Sequence, residues 1–305
     1  MEIKIGTRGS KLAVWQAEYV REELQKIVPE MKIEIIKIAT KGDKILNAPL
    51  SRIGGKGLFT KEIEKKLMSG EIDIAVHSLK DMPVEMEEGL EIVAITEREE
   101  PLDALVSNKY KTFEEIPAGG KIGTSSLRRR AQILARREDL KIKELRGNVE
   151  TRLKKLDAGE FDGIILAAAG LSRLGYEKRI REKLKWMIPA VGQGALAIET
   201  SKKNEEVKKI VKLLENEKTR HEIKAERAFL KEIGGSCQIP VGVYGKIEGK
   251  KITVEAVIAS LDGKKIYREK IAGEIKKSAE LGKNLALKLL KSGGDKILKN
   301  LLQEF

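Results

Sequence analysis

Three stretches of this 305-residue chain gather side chains that could do chemistry. The first is Gly123-Thr124-Ser125-Ser126-Leu127-Arg128-Arg129-Arg130. A helix starting at the serines carries three arginines in its first turns, where the helix dipole disfavours cations. Something anionic should offset that cost. A carboxylate or phosphate there would meet unpaired backbone amides, hydroxyls and forked guanidiniums together. Arg146, Arg152 and Arg173, with Arg8 and Ser10 in an earlier turn, also follow strand-to-helix junctions, where open α/β sheets bind ligands. The implied ligand bears several carboxylates or phosphates, which Arg binds bidentately and Lys does not. A solvated basic turn is the plainer reading of the same residues.

The second stretch, Asp73-Ile74-Ala75-Val76-His77-Ser78-Leu79-Lys80-Asp81-Met82-Pro83, runs a buried strand into a loop that presents His77, Ser78, Lys80 and Asp81. Asp81 beside a cation can stay ionised and stabilise developing positive charge, or shuttle a proton. His77 by itself reads as a hydrogen-bonded core histidine. The only other histidine is His221 and there is one cysteine, so no metal site is expected. The third stretch is Gly234-Gly235-Ser236-Cys237. Its glycines permit unusual φ and close backbone approach, which suits a thiol that attacks or carries something bulky. An inert thiol fits as well. No Walker loop, dinucleotide fingerprint or serine-nucleophile elbow is present.

The elements that must position these residues follow from apolar periodicity. Strands read at 2–6, 32–39, 72–76 and 90–95, with helices at 10–28 and about 60–68 and a glycine-rich loop at 53–57. On the first helix, Leu12, Trp15, Tyr19, Val20, Leu24 and Ile27 form the expected buried face. A charged break at 97–101 ends this set, and a second runs through strands at 104–107, 121–124, 141–146 and 163–167 to Pro189–Gly194. Strands alternating with helices predict two βα lobes around largely parallel sheets. Lys-Ile-Gly-Thr occurs at 4–7 and again at 121–124, each time ending a strand before a helix. From about Thr219 the pattern becomes helix, three strands joined by short turns, and a long helix interrupted at Gly293-Gly294. This is a smaller α+β domain with a three-stranded antiparallel sheet.

Lys and Arg number 60 against 47 Asp and Glu, a net charge of +13. Charged residues make up 35%, mostly Lys and Glu, which is a pattern of heat-adapted proteins. Aromatic residues are 4% and none alternates with basic ones, so nucleic acid is disfavoured as a partner. One cysteine closes no internal disulfide, and no apolar run spans a bilayer. A cytoplasmic chain without a membrane partner is expected, and a monomer, because no long unpartnered apolar face is visible.

The segments Gly6-Thr7-Arg8-Gly9-Ser10, Gly54-Gly55-Lys56-Gly57-Leu58-Phe59, Ala75–Pro83, Gly123–Arg129, Leu145-Arg146-Gly147-Asn148, Pro189–Gly194 and Cys237-Gln238-Ile239-Pro240-Val241-Gly242 together resemble the porphobilinogen deaminase (hydroxymethylbilane synthase) family, in order and over essentially the full length. Two small departures are Ser236, where that family often has glycine, and Arg52, where lysine is common. The resemblance implies a dipyrromethane cofactor joined by a thioether to Cys237, and head-to-tail addition of four porphobilinogens with loss of ammonia. Hydrolysis then releases hydroxymethylbilane. It makes Asp81 the catalytic carboxylate and assigns Arg8, Ser10, Arg146, Arg152 and Arg173 to substrate. Lys80, Thr124, Ser126, Arg128, Arg129 and Asn148 go to the cofactor, and Lys56 and Phe59 to an active-site loop. It also implies that the first two lobes resemble two-lobed anion-binding proteins and that the chain after Gly192 returns to the first. The expected domains are 1–97 with 195–217, 98–194, and 218–305. A noncatalytic binding protein for acidic small molecules or RNA would also carry this charge, without needing a glycine-framed thiol.

Overall fold

The computed structural model describes residues 2–44, 60–235 and 239–304. Of these, 2–44, 60–99 and 195–220 pack as one compact unit, and 100–194 with 221–235 and 239–304 as another.

The chain opens with β1 (Glu2–Arg8), α1 (Lys11–Ile27), β2 (Lys32–Ile38), a short α2 (Lys41–Lys44), α3 (Lys61–Ser69), β3 (Ile74–Ser78) and β4 (Leu90–Ile95). Ser10 starts α1: its Oγ accepts the Ala13 amide at 3.3 Å, taking up one of the helix's unpaired donors. The buried face of α1 is Gln16, Ala17, Val20 and Leu24. The expected apolar stripe is thus rotated: Ile27 is 42% exposed, and Trp15 stacks on Tyr19 with centroids 5.6 Å apart. Apolar spacing misses this because a polar residue, Gln16, takes a core-facing position through its hydrogen bond to Ser78. β3 is buried along Ile74–His77, since α1 and α3 both pack on it.

The second unit holds β5 (Asp103–Val106), β6 (Lys121–Gly123), α4 (Leu127–Arg136), β7 (Lys141–Lys143), α5 (Val149–Asp157), β8 (Gly163–Ala167), α6 (Ala168–Arg173) and β9 (Ile180–Lys183). β10 (Leu196–Ser201) and α7 (Glu205–Val211) belong to the first unit again. α8 (Glu217–Glu232) then leads to β11 (Val241–Glu248), β12 (Lys251–Ala259), β13 (Ile266–Glu274), α9 (Ser278–Leu289) and α10 (Asp295–Glu304), the last two separated by a wide turn at Leu290–Gly294.

Two five-stranded sheets share one plan, β2-β1-β3-β10-β4 and β7-β6-β8-β5-β9. The repeated Lys-Ile-Gly-Thr therefore marks equivalent strands: Gly6 pairs with Ala75 in one sheet, and Gly123 with Ile164 in the other. Neither sheet is as parallel as the alternation predicts. β10 runs antiparallel to β3 and β4, and β5 antiparallel to β8 and β9. Both strands follow a proline-bearing link instead of a helical crossover, and a buried strand shows the same apolar run in either direction. β7 is shorter than expected because the Leu145 amide leaves the ladder to bond Ser125 Oγ at 3.1 Å. β11, β12 and β13 form an antiparallel sheet over a core that includes Phe229, Val243, Val254 and Leu285.

Candidate active site

In the first unit, Arg8, Ser10, Gln16, His77, Ser78 and Asp81 line a solvent-open cleft of about 440 Å3. Adjacency of two parallel strands brings them together. β1 and β3 pair through Ile5–Ile74 and Gly6–Ala75, so their carboxyl ends leave the sheet side by side. Arg8 ends β1, and Asp81 closes the single 3-10 turn that follows β3. That turn is pinned where the Leu79 amide donates to Ala195 O at 3.0 Å. Gln16 Nε2 donates to Ser78 Oγ at 2.9 Å, and the hydroxyl returns a bond to Gln16 Oε1 at 3.2 Å. His77, 6% exposed, meets Glu199 Oε2 through Nε2 at 3.1 Å, so the histidine expected in the core is both core and cleft wall. Close enough to feel both residues is buried Glu64 on α3, whose carboxyl burial pushes above its ordinary range, with the charge of Glu199 adding to the shift. Lys80 is half-buried on the same turn as Asp81. Gln16, Glu64 and Glu199 were not foreseen. The visible signal was a polar residue inside an otherwise apolar helix face or strand.

In the second unit, the loops after β6, β7 and β8 carry the remaining residues. These three strands are adjacent and parallel, which puts their loops at one edge. Ser126 caps α4 by accepting the Arg129 amide at 3.4 Å, and Asn148 caps α5 by accepting the Thr151 amide at 2.8 Å. Thr124 is buried and its Oγ1 accepts the Ser126 amide at 3.2 Å. Ser125 Oγ donates to Leu145 O at 2.8 Å and so ties the two loops together.

The anion that offsets Arg128 and Arg129 is internal. Asp103, fully buried at the start of β5, accepts Arg128 Nη1 at 2.7 Å, Arg129 Nε at 3.0 Å, Arg129 Nη2 at 2.7 Å and Gln193 Nε2 at 3.1 Å. Arg129 also gives Nη1 to Ile165 O at 2.7 Å, so it is turned inward. Burial lowers the Arg129 pKa and Asp103 opposes that. Arg128 commits only Nη1, to Asp103 and to Ile188 O at 2.8 Å. Among the described residues no acceptor engages its Nε or Nη2. Arg146 approaches Glu144 at 3.4 Å, Arg152 Nε donates to Gly147 O at 2.7 Å, and buried Arg173 gives Nη2 to Gly194 O at 2.8 Å. Glu226, also fully buried, accepts the amides of Gly192 and Gly245 at 2.7 and 2.8 Å and ties the 189–194 link to β11. Gly234 and Gly235, at φ +88° and +53°, end α8 in the left-handed region just before Cys237. Cys237, Ser236, Arg52, Lys56 and Phe59 lie outside the described residues.

The family described as "Porphobilinogen deaminase, dipyromethane cofactor binding domain" matches residues 3–209, and "Porphobilinogen deaminase, C-terminal domain" matches residues 221–291. The chain belongs to the porphobilinogen deaminase family. A porphobilinogen deaminase of Geobacter sulfurreducens is 48% identical over 303 residues, covering 99% of this chain and 95% of its own. One from Prochlorococcus marinus is 48% identical over 310 residues, covering 100% and 98%. Among solved structures, the methionine-binding protein MetQ aligns with 17% identity and a TM-score of 0.45, over 69% of this chain and 88% of that one. Membership makes the chain an enzyme of tetrapyrrole biosynthesis with a dipyrromethane cofactor. The donors described above suit such a group. Arg128, with two guanidinium nitrogens uncommitted beside the α4 amino end, fits the carboxylates that each pyrrole of a dipyrromethane bears. No helix among the described residues is long and apolar enough to cross a membrane.

Proposed function

We propose that this chain condenses four porphobilinogen molecules head to tail, losing ammonia at each step, and releases hydroxymethylbilane by hydrolysis. The observation that carries the reading is the cleft in which Arg8 and Asp81 stand at neighbouring strand ends. Arg8 binds a substrate carboxylate, with Ser10 beside it. Asp81 assists departure of the amine and stabilises the cationic methylene-pyrrole left when the carbon–nitrogen bond breaks, a pre-placed charge meeting a developing one. Arg146, Arg152 and Arg173 bind the carboxylates of the growing chain. Thr124, Ser126, Arg128, Arg129, Asn148 and Lys80 hold the dipyrromethane, with Arg129 acting mainly by fixing Asp103 and thereby Arg128. When bound through a thioether to Cys237, the cofactor supplies the primer on which pyrroles are added. Lys56 and Phe59 belong to an active-site loop.

The same reading divides the chain into domains 1–97 with 195–217, 98–194, and 218–305; support comes from the sheet and buried cluster that each contains. It takes the protein to be a cytoplasmic monomer from a heat-adapted source that binds neither nucleic acid nor membrane. The lone cysteine, the Lys/Glu-rich composition and the scattering of exposed large apolar residues support this. Intact mass of protein made where substrate is available tests the central point. An adduct of two condensed pyrrole units, absent from the Cys237→Ser protein, is expected; an unmodified mass would point instead to a noncatalytic binder. Asp81 is exposed, so Asp81→Asn should keep the fold and lower turnover at least about 100-fold. Near-normal bilane formation would overturn its role.

A further inference from the structure

The cleft assigned above contains a second group able to exchange protons, and its arrangement extends that assignment. His77 Nε2 lies 3.1 Å from Glu199 Oε2, and the two residues are 6% and 0% exposed. They come from neighbouring antiparallel strands: Ala197 stands opposite His77, and Glu199 opposite Ala75, two residues earlier on β3. Glu199 Oε1 has no hydrogen-bond partner among the described residues. A buried carboxylate with one oxygen unserved is costly unless it faces a cation or a firmly held proton. The imidazole bonded to it supplies that, while Glu64 on α3 is raised toward its neutral form by burial and by Glu199 itself. Among the described residues, Arg8 at the end of β1 and Lys80 and Asp81 on the turn after β3 are the charged groups at the open side. Nothing among the described residues engages His77 Nδ1, and His77 is one of the residues that line the cleft. One ring nitrogen is thus anchored behind and the other is available to a ligand.

We propose that Glu199 fixes His77 with Nε2–H donated to its carboxylate and Nδ1 turned to the ligand, making His77 a second proton-exchanging group beside Asp81. Each addition breaks a carbon–nitrogen bond, whose electron pair leaves on ammonia. The new carbon–carbon bond takes a π pair from a pyrrole ring, which regains it when the carbon–hydrogen bond at the attacked position breaks. The proton freed in that last event goes to His77 Nδ1, Glu199 stabilises the imidazolium, and the departing ammonia carries the proton away as ammonium. The sequence balances without any further reagent.

The chain has two histidines, so 15N-histidine NMR of the whole protein, with His221→Gln for assignment, reads His77 without turnover. The expected alkaline form has Nε2 protonated and Nδ1 bare. Glu199→Gln removes the carboxylate that accepts from Nε2 and should release the tautomer preference, so that an Nδ1–H population appears. In steady state, His77→Asn should lower kcat about 100-fold with KM nearly unchanged and flatten the acid limb of the pH–rate profile. An Nδ1–H tautomer in the parent, a tautomer indifferent to Glu199→Gln, or a His77→Asn enzyme with unchanged kcat and profile overturns the proposal. The NMR reading uses native His77, so it stands even where His77→Asn fails to fold. An Asp81→Asn enzyme that turns over normally while His77 behaves as expected overturns the role of Asp81 and supports the histidine–glutamate pair.

Discussion

Asp103→Asn removes the charge that two buried arginines share. Arg128 contributes one bond to this carboxylate at 2.7 Å, Arg129 two at 3.0 and 2.7 Å, and Gln193 a fourth at 3.1 Å. Asparagine keeps one acceptor oxygen and turns the other into a donor aimed at a guanidinium, leaving both cations buried without a counter-charge. Breaking a buried ion pair by removing one partner costs about 3–5 kcal/mol. With the retained oxygen facing Arg129, the bond lost is the one to Arg128, about 1.5–3 kcal/mol of that figure, and the unbalanced cations supply the rest. A loss of about 4 kcal/mol is a large part of the roughly 5–15 kcal/mol that stabilises a folded protein. At about 2–4 °C per kcal/mol for a unit of this size, the unfolding transition should fall by about 8–16 °C in scanning calorimetry. Intact mass on the same sample should show reduced cofactor loading, because Arg128 loses the group that orients it. Asp157→Asn is the matched control. Asp157 bonds Arg179 at 2.6 Å, but its side chain is 49% exposed, so its removal should shift the transition by no more than about 2–4 °C. An Asp103→Asn protein that melts within about 2 °C of its parent and carries a full complement of cofactor would refute the reasoning.

Glu64→Gln tests the buried carboxyl near His77 and Glu199. Because burial raises its pKa, the folded state holds this proton more tightly than the unfolded chain, and stability falls as pH rises through and above the ordinary carboxylate range. The variant should be more stable than its parent at pH 8 and no more stable at pH 3, checked by urea unfolding at both; an equal effect at the two would count against the shift. Asp157 has the opposite sign: its bond to Arg179 lowers its pKa, so its contribution is present at pH 7 and lost in acid. The small difference between parent and Asp157→Asn should vanish near pH 2. Asn148→Ala removes the acceptor for the Thr151 amide at the start of α5 and should cost about 1 kcal/mol, seen as a lower melting temperature.

Much of this molecule is legible in short stretches. The strands Leu90–Ile95 and Gly163–Ala167 have the bounds that their apolar runs predict. Ser10, Ser126 and Asn148 each cap a helix through an amide three residues ahead. The Lys-Ile-Gly-Thr echo marks equivalent strands of two sheets with one plan. A cap, a turn and a strand end are each written within about four residues, so their spacing alone locates Arg8 at a strand end, Asp81 in the turn after a strand and Arg128 in the first turn of a helix. The direction of β5 and β10 is not written locally, because a strand buried on both faces shows the same apolar run whichever way it points.

Nor could spacing say what the polar groups meet. Net charge and the helix dipole required an anion near Arg128 and Arg129 without saying whether protein or ligand supplied it. Tertiary packing supplied Asp103, 25 and 26 positions away in sequence. His77 reads as a core histidine in isolation, and only the insertion of β10 beside β3 sets Glu199, 122 positions away, behind its ring. The sequence by itself determined which side chains stand at strand ends, because those signals lie within a few residues of one another. Which buried carboxylate each cation faces was decided only by the fold, because burial strengthens an ion pair between residues that no local period connects.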